Sequence, residues 1–374
     1  MRIICFADLH IGQKSYCKID PVSGLHYREI NAINILNKIV DDAIEKKIDV
    51  VVFAGDMFKN NLPSPTLINH VSEAFFRLSK NKIHTLILDG NHDVSKIKTF
   101  TSGLNQFSAL EIPYITQTRF YKEKLLTIND ETFRFVFLPT HHTKEEIETL
   151  MNNLKTDCKN IIIGHLTIKD AKLNDWNVIN NSDCIDLSVF NDKNIHSVIL
   201  GHLHKYQILN EDPFVFYCGS SDRIDFSEEK QDKGYVLLDT SNATHEFVKV
   251  DIAQKYKTIN IDCRDESSSK NIENKITSLL SENNLKGTIV RIKLKLDNEI
   301  KINEKYIVSF AYEQGIQHLL KIQYDMTDSQ VNTVELSNSL STNKAIETYY
   351  SGQTRSNERI KLCKDIVEKV DSYE

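Results

Sequence analysis

Short apolar runs alternate with amphipathic segments along the first 240 residues of the chain. Candidate strands lie at residues 3–7, 49–53, 85–88, 160–163 and 197–200, and apolar residues recur at helical spacing in 30–46 and 66–79. Strands of this length that alternate with helices predict an α/β fold whose sheets are covered by helices. Two later runs, at 133–138 and 214–218, are typical of further strands joined by turns.

A second, smaller unit is predicted to begin near Asp251. Its pattern is strand, helix, strand, helix, strand at 257–262, 270–282, 288–296, 304–314 and 319–324. In the middle strand, apolar residues alternate with Arg291, Lys293 and Lys295, which is the period of a strand with one buried face. We therefore expect four parts: a core domain at 1–250, an α+β domain at 251–326, a polar linker at 327–343 and a tail at 344–374.

The tail is predicted to form two short amphipathic helices, at 344–350 and 357–370. In the second helix, Ile360, Cys363 and Val367 fall on one face. An apolar stripe on a short helix needs cover. The pair therefore either folds back on this chain or binds a helix of a partner.

Composition narrows the class of protein. Of 374 residues, 40% are apolar and 26% charged, which is ordinary for a globular protein, and no apolar run approaches the roughly 20 residues that span a bilayer. The first residues form a strand-like run rather than a signal peptide, so a cytoplasmic protein without membrane association is expected. Seven cysteines without a C-x-x-C pair argue against disulfides and cysteine-bound zinc. A net charge of −6 means that any DNA site must be a local basic surface or use bound cations.

Five of the candidate strands end in polar clusters. These are Asp8-Leu9-His10, Gly55-Asp56, Gly90-Asn91-His92-Asp93, Gly164-His165 and Gly201-His202-Leu203-His204. Ligands bind at the carboxyl ends of strands in open α/β sheets, so we expect these side chains to meet at one edge of the fold. Taken singly, each histidine is more often an ordinary core or surface residue than a metal ligand.

The residue types in these clusters favour a pair of metal ions. The predicted ligands are Asp8, His10, Asp56, Asn91, His165, His202 and His204. Carboxylate, imidazole and amide groups without thiolate suit manganese, iron or magnesium better than structural zinc. Two such ions about 3.5–4 Å apart can generate hydroxide and hold a phosphate for in-line displacement. His92, as an imidazolium, could protonate the leaving oxygen.

In this order the motifs resemble those of the calcineurin-like metallophosphoesterase superfamily: D-x-H, G-D, G-N-H, G-H and G-H-x-H. The stretch Ala7-Asp8-Leu9-His10-Ile11-Gly12 and the segment 217–229, followed by Lys233-Gly234-Tyr235, are similar to the SbcD-type double-strand-break repair nucleases. The likeness covers residues 1 to about 250, and the second domain matches by architecture more than by residues. It implies a two-sheet α/β sandwich with a smaller α+β cap domain and a C-terminal helical tail.

The resemblance also implies a role for each site residue. One metal would be held by Asp8, His10, Asp56 and His204. The other would share Asp56 as a bridge and use Asn91, His165 and His202. His92 would be the catalytic proton donor. The implied cofactor is two Mn²⁺, with Mg²⁺ or Fe²⁺ as alternatives.

The implied activities are exonuclease cleavage of double-stranded DNA ends and endonuclease cleavage of single strands or hairpins, in double-strand-break repair or recombination. The implied partners are DNA, a second copy of the chain and an SbcC-type coiled-coil ATPase bound by the C-terminal tail. The alternative is a phosphatase or small-molecule phosphodiesterase of the same superfamily. The protein-phosphatase pattern has Arg-Gly and Glu where this chain has Lys59-Asn60 and Asp93, which argues against that form.

Two groups of basic residues keep two interpretations each. Many relatives carry His directly after G-D-x-F, and this chain has Lys59, which either contacts a DNA phosphate or is a solvated loop charge. Arg291, Lys293 and Lys295 either position phosphates on the cap domain or form an ordinary exposed sheet face.

Overall fold

The computed structural model describes residues 1–16, 18–95, 102–173, 179, 183–242, 244–282, 284–297, 300–326 and 360–364. The strands are β1 (Arg2–Phe6), β2 (Val50–Ala54), β3 (His84–Leu88), β4 (Ile115–Thr118), β5 (Lys122–Ile128), β6 (Glu131–Phe137), β7 (Lys159–His165), β8 (Ile195–Gly201), β9 (Gln207–Glu211), β10 (Phe214–Tyr217), β11 (Gly234–Asp239), β12 (Thr244–Lys249), β13 (Lys255–Asp262), β14 (Thr288–Leu296), β15 (His318–Leu319) and β16 (Gln323–Met326). The helices are α1 (Tyr27–Glu45), α2 (Pro65–Lys80), α3 (Gln106–Ala109), α4 (Lys144–Asn152), α5 (Ser269–Glu282) and α6 (Glu304–Glu313), with 3₁₀ helices at Leu187–Phe190 and Phe226–Glu228.

Two six-stranded sheets form the core. The first has the order β12-β11-β1-β2-β3-β4, in which β1 to β4 are parallel, and the second has the order β5-β6-β7-β8-β10-β9, in which β6, β7, β8 and β10 are parallel. In the second sheet, antiparallel strands lie at both edges, whereas in the first sheet they lie only on the β11–β12 side and the parallel strand β4 forms the other edge. This confirms the predicted two-sheet α/β core.

Successive side chains of each strand point to opposite faces of the sheet, and both faces of the sheets are covered. In β1, Ile3 and Cys5 point into the core between the two sheets, whereas Ile4 and Phe6 point to the helices on the other side. Every residue of β2 is buried, because one of its faces packs on the second sheet and the other on the helices. A strand buried on both faces reads as a continuous apolar run, which is the pattern that predicted it.

The two helices that cover the first sheet begin at capping signals. The side chain of Glu29 accepts a hydrogen bond from the backbone N–H of His26 at 2.9 Å, at the start of α1. Ser64 precedes α2, where Pro65 occupies the first turn, and its hydroxyl accepts from the N–H of Leu67 at 3.4 Å. The predicted start of the first helix at residue 30 was three residues late, because its first turn is selected by capping rather than by apolar spacing.

Residues 255–326 build a third, parallel sheet, with β14 between β13 on one side and β15 and β16 on the other. Helices α5 and α6 pack on it through a separate apolar cluster. The predicted strand at 319–324 is divided in two. Leu319 pairs with Val290 and Gln323 with Lys293, so four steps on one strand face three on the other, and the extra residue interrupts the ladder.

No helix in the described part of the chain has both the length and the apolar character required to cross a lipid bilayer. The predicted linker and most of the predicted tail lie outside the described residues. Residues 360–364 are described and are helical, within the helix predicted at 357–370. The division of the chain into four parts remains a prediction.

Candidate metal centre

The polar clusters meet at the carboxyl ends of the parallel strands of the two sheets. Asp8, Asp56 and Asn91 follow β1, β2 and β3 of the first sheet, while His165 ends β7 and His202 follows β8 of the second. The structure thus brings together side chains that are up to 196 positions apart, from Asp8 to His204. One edge receives them all because the strands that carry them are parallel within each sheet.

Four of the predicted ligands adopt a backbone conformation that non-glycine residues rarely take. The φ angles of Asp8, His10, Asp56 and His202 are 53°, 49°, 61° and 95°. Hydrogen bonds between loops hold this conformation: the N–H of Asp8 donates to the oxygen of Gly55 at 2.9 Å, and the N–H of His10 to that of Asp56 at 3.1 Å. Left-handed backbone at non-glycine residues costs free energy and concentrates at functional sites.

Two glycines leave room for the ligands. Gly55 has a φ of 98°, and a Cβ there would collide with the ring of His165. A Cβ on Gly90 would collide with the carboxylate and backbone of Asp56. The glycines in G-D and G-N-H therefore permit the loops after β2 and β3 to lie against the ligands themselves.

The first group of ligand atoms lies around His10. One ligand atom from each of Asp8, His10 and His204 lies within 4.8 Å of the others, and the Nε2 atoms of His10 and His204 are 3.1 Å apart. Asp8 and His10 are buried, and His204 is partly exposed.

The second group lies around Asn91. Its Oδ1 atom is 3.0 Å from Nε2 of His165 and 3.1 Å from Nδ1 of His202. A cleft of about 230 Å³ opens beside a histidine of each group and is lined by Leu173, His202, His204, Asp225, Ser227 and Glu228.

Asp56 lies between the two groups. Its Oδ2 atom is 3.3 Å from Nε2 of His165 and 3.8 Å from Nε2 of His10. Its other oxygen, Oδ1, accepts a hydrogen bond from the backbone N–H of His92 at 2.8 Å. One carboxylate therefore contacts a nitrogen donor of each group, as a bridging ligand must.

Hydrogen bonds fix which ring nitrogen of two histidines carries the proton. Nδ1 of His165 lies 2.8 Å from the backbone oxygen of Ala54, and Nδ1 of His204 lies 2.8 Å from Oε1 of Glu228. A carbonyl or carboxylate oxygen can only accept, so both Nδ1 atoms donate. In the neutral ring, each Nε2 atom then keeps its lone pair, which is the form that binds a metal.

The two buried carboxylates of the site, Asp8 and Asp56, require nearby positive charge to stay ionised. Burial raises the pKa of Asp8 to about 6, against the opposing attraction of His165 and His204. Burial also acts to raise the pKa of Asp56, but the charge and hydrogen bond of His165 hold it below its ordinary value. Burial acts to lower the pKa of His165, but Asp56 raises it to about 9. Without cations, two buried carboxylates share a water-poor space and rely on imidazolium for compensation.

The donor set fits a pair of divalent cations. It contains carboxylate, amide and imidazole donors and no thiolate. The Nε2 atoms of two imidazoles face each other at 3.1 Å, and the buried Nδ1 of His10 has no hydrogen-bond partner among the described residues. A cation there would be held by carboxylate oxygens and ring nitrogens that already lie within 4.8 Å of one another.

His92 points its ring toward the same space from the side of Lys59. Its Nδ1 atom lies 3.0 Å from the backbone oxygen of Lys59 and therefore donates to it, and its ring packs edge-on against that of His10 at 4.9 Å between centroids. Its ring also lies within ligand reach of His10 and Asp56, so geometry alone leaves a direct metal contact open. Lys59 is half-buried at the rim of the site.

The sequence pattern did not identify Asp93 as part of the site's framework. Its buried carboxylate accepts three backbone N–H groups, from Met57 at 3.1 Å, Phe58 at 2.8 Å and Gly90 at 2.9 Å. It thereby ties the loop of Asp56 to the loop of Asn91 and His92. In the sequence, Asp93 was marked only as the last residue of the Gly90-Asn91-His92-Asp93 cluster and as a departure from the protein-phosphatase pattern.

Replacing Asp93 with alanine should lower the free energy of unfolding by about 3 kcal/mol or more, because three buried N–H groups lose their acceptor at about 1–3 kcal/mol each. Urea unfolding followed by circular dichroism measures this loss. Asp93→Asn keeps one acceptor oxygen and should fall between the alanine variant and the wild type. A loss below about 1 kcal/mol for the alanine variant would contradict the role assigned to Asp93.

Glu228 and Lys233 were also missed as individual residues. Glu228 is 4% exposed, and besides His204 it contacts the buried ammonium of Lys233, at 2.7 Å from Oε2. Lys233 Nζ also donates to the backbone oxygen of His204 at 2.9 Å. No periodicity marks a contact between residues 24 positions apart. The one hint was the position of both residues in the stretch that resembles the SbcD-type nucleases.

The three basic residues of β14 are not equivalent in the structure. Arg291 is partly buried, with its guanidinium 4.3 Å from the centroid of the Phe226 ring and its Nη2 donating to the Thr258 hydroxyl at 2.9 Å. Lys293 and Lys295 are exposed. DNA contacts by Lys59 and by these three residues remain predictions, and Arg291 has an evident role within the chain.

The chain is similar to a known protein family and to individual proteins of known name. The sequence profile of the calcineurin-like phosphoesterases matches residues 1–206. The chain is 26% identical over 260 residues to a Staphylococcus epidermidis protein named as the SbcD component of the SbcCD nuclease, with 65% of this chain and 67% of that protein covered. It is 27% identical over 260 residues to the protein of the same name from Staphylococcus saprophyticus, covering 65% of this chain and 66% of that protein. The matches thus span about two thirds of these relatives. Among solved structures, a dimetal phosphatase from Danio rerio has a TM-score of 0.42 and 11% identity, over 63% of this chain and 91% of that one.

Proposed function

Because the chain belongs to the calcineurin-like phosphoesterase family, and is thus a metal-dependent hydrolase of phosphate esters, we propose that it is a two-metal DNA nuclease of the SbcD type. The observation that carries the proposal is the position of Asp56 between two groups of oxygen and nitrogen donors. Metal analysis of the purified chain should find two divalent ions, and Mn²⁺ is the proposed physiological metal, with Mg²⁺ and Fe²⁺ as alternatives.

We propose that Asp8, His10, Asp56 and His204 hold one metal. Asp56, Asn91, His165 and His202 hold the other. When bound, a metal pair supplies a hydroxide at neutral pH and neutralises the phosphate. The loops that carry these residues are fixed before any substrate binds, because Asp93 and the inter-loop hydrogen bonds hold them.

The chain's own contribution to the bond-breaking step is a proton from His92. With Nδ1 donating to the oxygen of Lys59, Nε2 is the ring atom that faces the substrate side. As an imidazolium, His92 donates its Nε2 proton to the oxygen that leaves as the P–O bond breaks, so the departing alkoxide does not build up charge. The hydrogen bond from its backbone N–H to Asp56 keeps this donor beside the metal pair.

DNA is proposed as the substrate because two curated relatives are named as components of a nuclease. Lys59 at the rim supplies a cation for a DNA phosphate, and Lys293 and Lys295 supply two more on the third sheet. The net charge of −6 means that these contacts should be few, so affinity should depend less on salt than for a strongly basic nuclease. We further propose that the protein acts in double-strand-break repair or recombination.

A direct assay tests the substrate class. The purified chain with Mn²⁺ is given a blunt linear duplex, a circular single strand, p-nitrophenyl phosphate and bis-p-nitrophenyl phosphate, with EDTA as the control. We expect cleavage of both DNAs and of the diester and little hydrolysis of the monoester. Efficient hydrolysis of the monoester with both DNAs intact would favour the phosphatase alternative and overturn the nuclease proposal.

The C-terminal tail is proposed to bind a coiled-coil ATPase of the SbcC type, and the nuclease is proposed to act as a homodimer. A chain that lacks everything from Thr342 onward should keep basal nuclease activity and lose the ATPase from its complex in size-exclusion chromatography. Ile360→Asp in the full chain should weaken the complex, and Lys361→Ala on the exposed side of the same turn should not. An intact complex after the deletion would mean that the tail folds back on its own chain.

A further inference from the structure

The 3₁₀ helix Phe226–Glu228 and the residue after it connect the metal centre to the third sheet. Glu228 faces the site, and its Oε1 accepts the Nδ1 proton of His204 at 2.8 Å. Its Oε2 contacts Lys233 Nζ at 2.7 Å and accepts from the backbone N–H of Ile224 at 3.1 Å. Both carboxylate oxygens are thus occupied, so the position of Glu228 sets the orientation of the His204 ring.

The residues on either side of Glu228 are attached to the third sheet. The ring of Phe226 is 9% exposed and packs edge-on against Tyr256 of β13, at 4.8 Å between centroids, and against Ile289 of β14. The guanidinium of Arg291 lies over the same ring at 4.3 Å. Oε2 of Glu229 accepts the backbone N–H of Thr258 at 2.9 Å. Within one short turn, Glu228 therefore contacts the metal centre, while Phe226 and Glu229 contact the third sheet.

Contacts nearby make this connection stiff. Oδ1 of Asp222 accepts the N–H of Gln254 at 2.6 Å, just before β13 begins. The guanidinium of Arg28, which is 1% exposed, donates to the backbone oxygen of Arg223 at 2.6 Å and also to Tyr256. Because Phe226 and Glu228 are buried and both carboxylate oxygens of Glu228 are occupied, a displacement of the third sheet cannot be absorbed there without moving Glu228.

We propose that the 226–229 turn couples the docking of the third sheet to the metal site that contains His204, with Glu228 as the positioning residue. The inference rests on the metal-binding part of the proposed function. A nucleic acid or partner that shifts the third sheet would change the affinity of this one metal site. By linkage, metal bound at His204 would tighten the docking of the sheet in return.

The test is calorimetric titration of the full-length, metal-free chain with Mn²⁺ alone. In Glu228→Gln, which removes the negative charge facing His204 and Lys233, one of two Mn²⁺ sites should weaken by roughly 10- to 100-fold, the usual cost of substituting the partner of a metal-binding histidine, while the other is unchanged. Phe226→Leu and Arg291→Met leave Glu228 and His204 in place and change the packing of the turn on the third sheet, although Phe226→Leu also removes a ring contact with Tyr16. They should weaken the same site by roughly 2- to 30-fold.

Two controls separate this coupling from general effects of substitution. Glu246→Gln makes the same chemical change as Glu228→Gln on an exposed position of β12, and Lys257→Met removes a cation from an exposed position of β13. Both should bind two Mn²⁺ like the wild type. Hydrogen exchange gives the reciprocal readout: Mn²⁺ should protect the Thr258 amide in the wild type and should not do so in Glu228→Gln.

Wild-type affinity at both sites in Phe226→Leu and Arg291→Met would overturn the coupling, and wild-type affinity in Glu228→Gln would overturn the positioning role. If Glu228→Gln does not fold, Arg291→Met and the exchange measurement on the wild type decide the question. Because no nucleic acid is used, a chain that binds Mn²⁺ as described and cleaves no DNA would contradict the nuclease proposal alone.

Discussion

Asp56→Ala is expected to empty both metal positions and to abolish cleavage of DNA. Asp56 Oδ2 lies 3.3 Å from a ring nitrogen of one donor group and 3.8 Å from that of the other, and its Oδ1 holds the backbone of His92. A single substitution therefore removes a ligand from each proposed metal and releases the proton donor. The loss of metal affinity should exceed the roughly 10- to 100-fold that follows removal of a ligand's hydrogen-bonding partner.

Metal content after dialysis, measured by plasma mass spectrometry, and cleavage of a blunt duplex are the two readouts. Asp56→Asn keeps one side-chain oxygen and should retain part of one metal site. Asp251→Ala removes an exposed carboxylate in the turn before β13 and should change neither readout. Two metals bound at full occupancy in Asp56→Ala would refute the bridging role.

His92→Ala should lower DNA cleavage by roughly 10²- to 10⁴-fold, the usual contribution of a positioned general acid, while both metals stay bound. The reason is that His92 supplies a proton to the leaving oxygen and, in the proposed assignment, holds no metal. The sharpest readout is the dependence on the leaving group. Cleavage of bis-p-nitrophenyl phosphate, whose phenolate leaves without protonation, should fall far less than cleavage of DNA.

Two further variants make this test specific. His92→Asn can still donate to the oxygen of Lys59 through its side-chain amide but cannot act as an acid, so it should match His92→Ala in the DNA assay. His70→Ala at a partly exposed position of α2 is the control for loss of a histidine. Loss of metal from His92→Ala would show instead that His92 is a ligand, which its distance from His10 and Asp56 permits.

Much of the site could be predicted because the ends of buried strands can be recognised from neighbouring residues in the sequence. A buried strand followed directly by Asp, Asn or His is visible in the sequence, and parallel strands deliver their ends to one edge. All seven predicted ligands lie together in the structure for this reason. The division of these residues between two metals came from a resemblance, because motif order carries no information on which imidazole faces which carboxylate.

The framework of the site could not be predicted from local patterns. Asp93 binds the N–H groups of Met57 and Phe58, 36 and 35 positions away, and Glu228 binds a ring nitrogen 24 positions away. Neither contact has a period or a neighbouring turn signal. The left-handed backbone at Asp8 and Asp56 could not be predicted either, because neither residue is glycine, the residue type that usually indicates this conformation.

The strand β14 shows which features the sequence determines and which features only the tertiary structure determines. By itself, the sequence determined that residues 288–296 form a strand with one apolar and one basic face, because period-two alternation is a property of neighbouring residues. In that pattern Arg291, Lys293 and Lys295 are equivalent. Only the tertiary structure separates them, by placing Phe226 against Arg291 alone, because a contact between residues 65 positions apart depends on how the third sheet packs on the core.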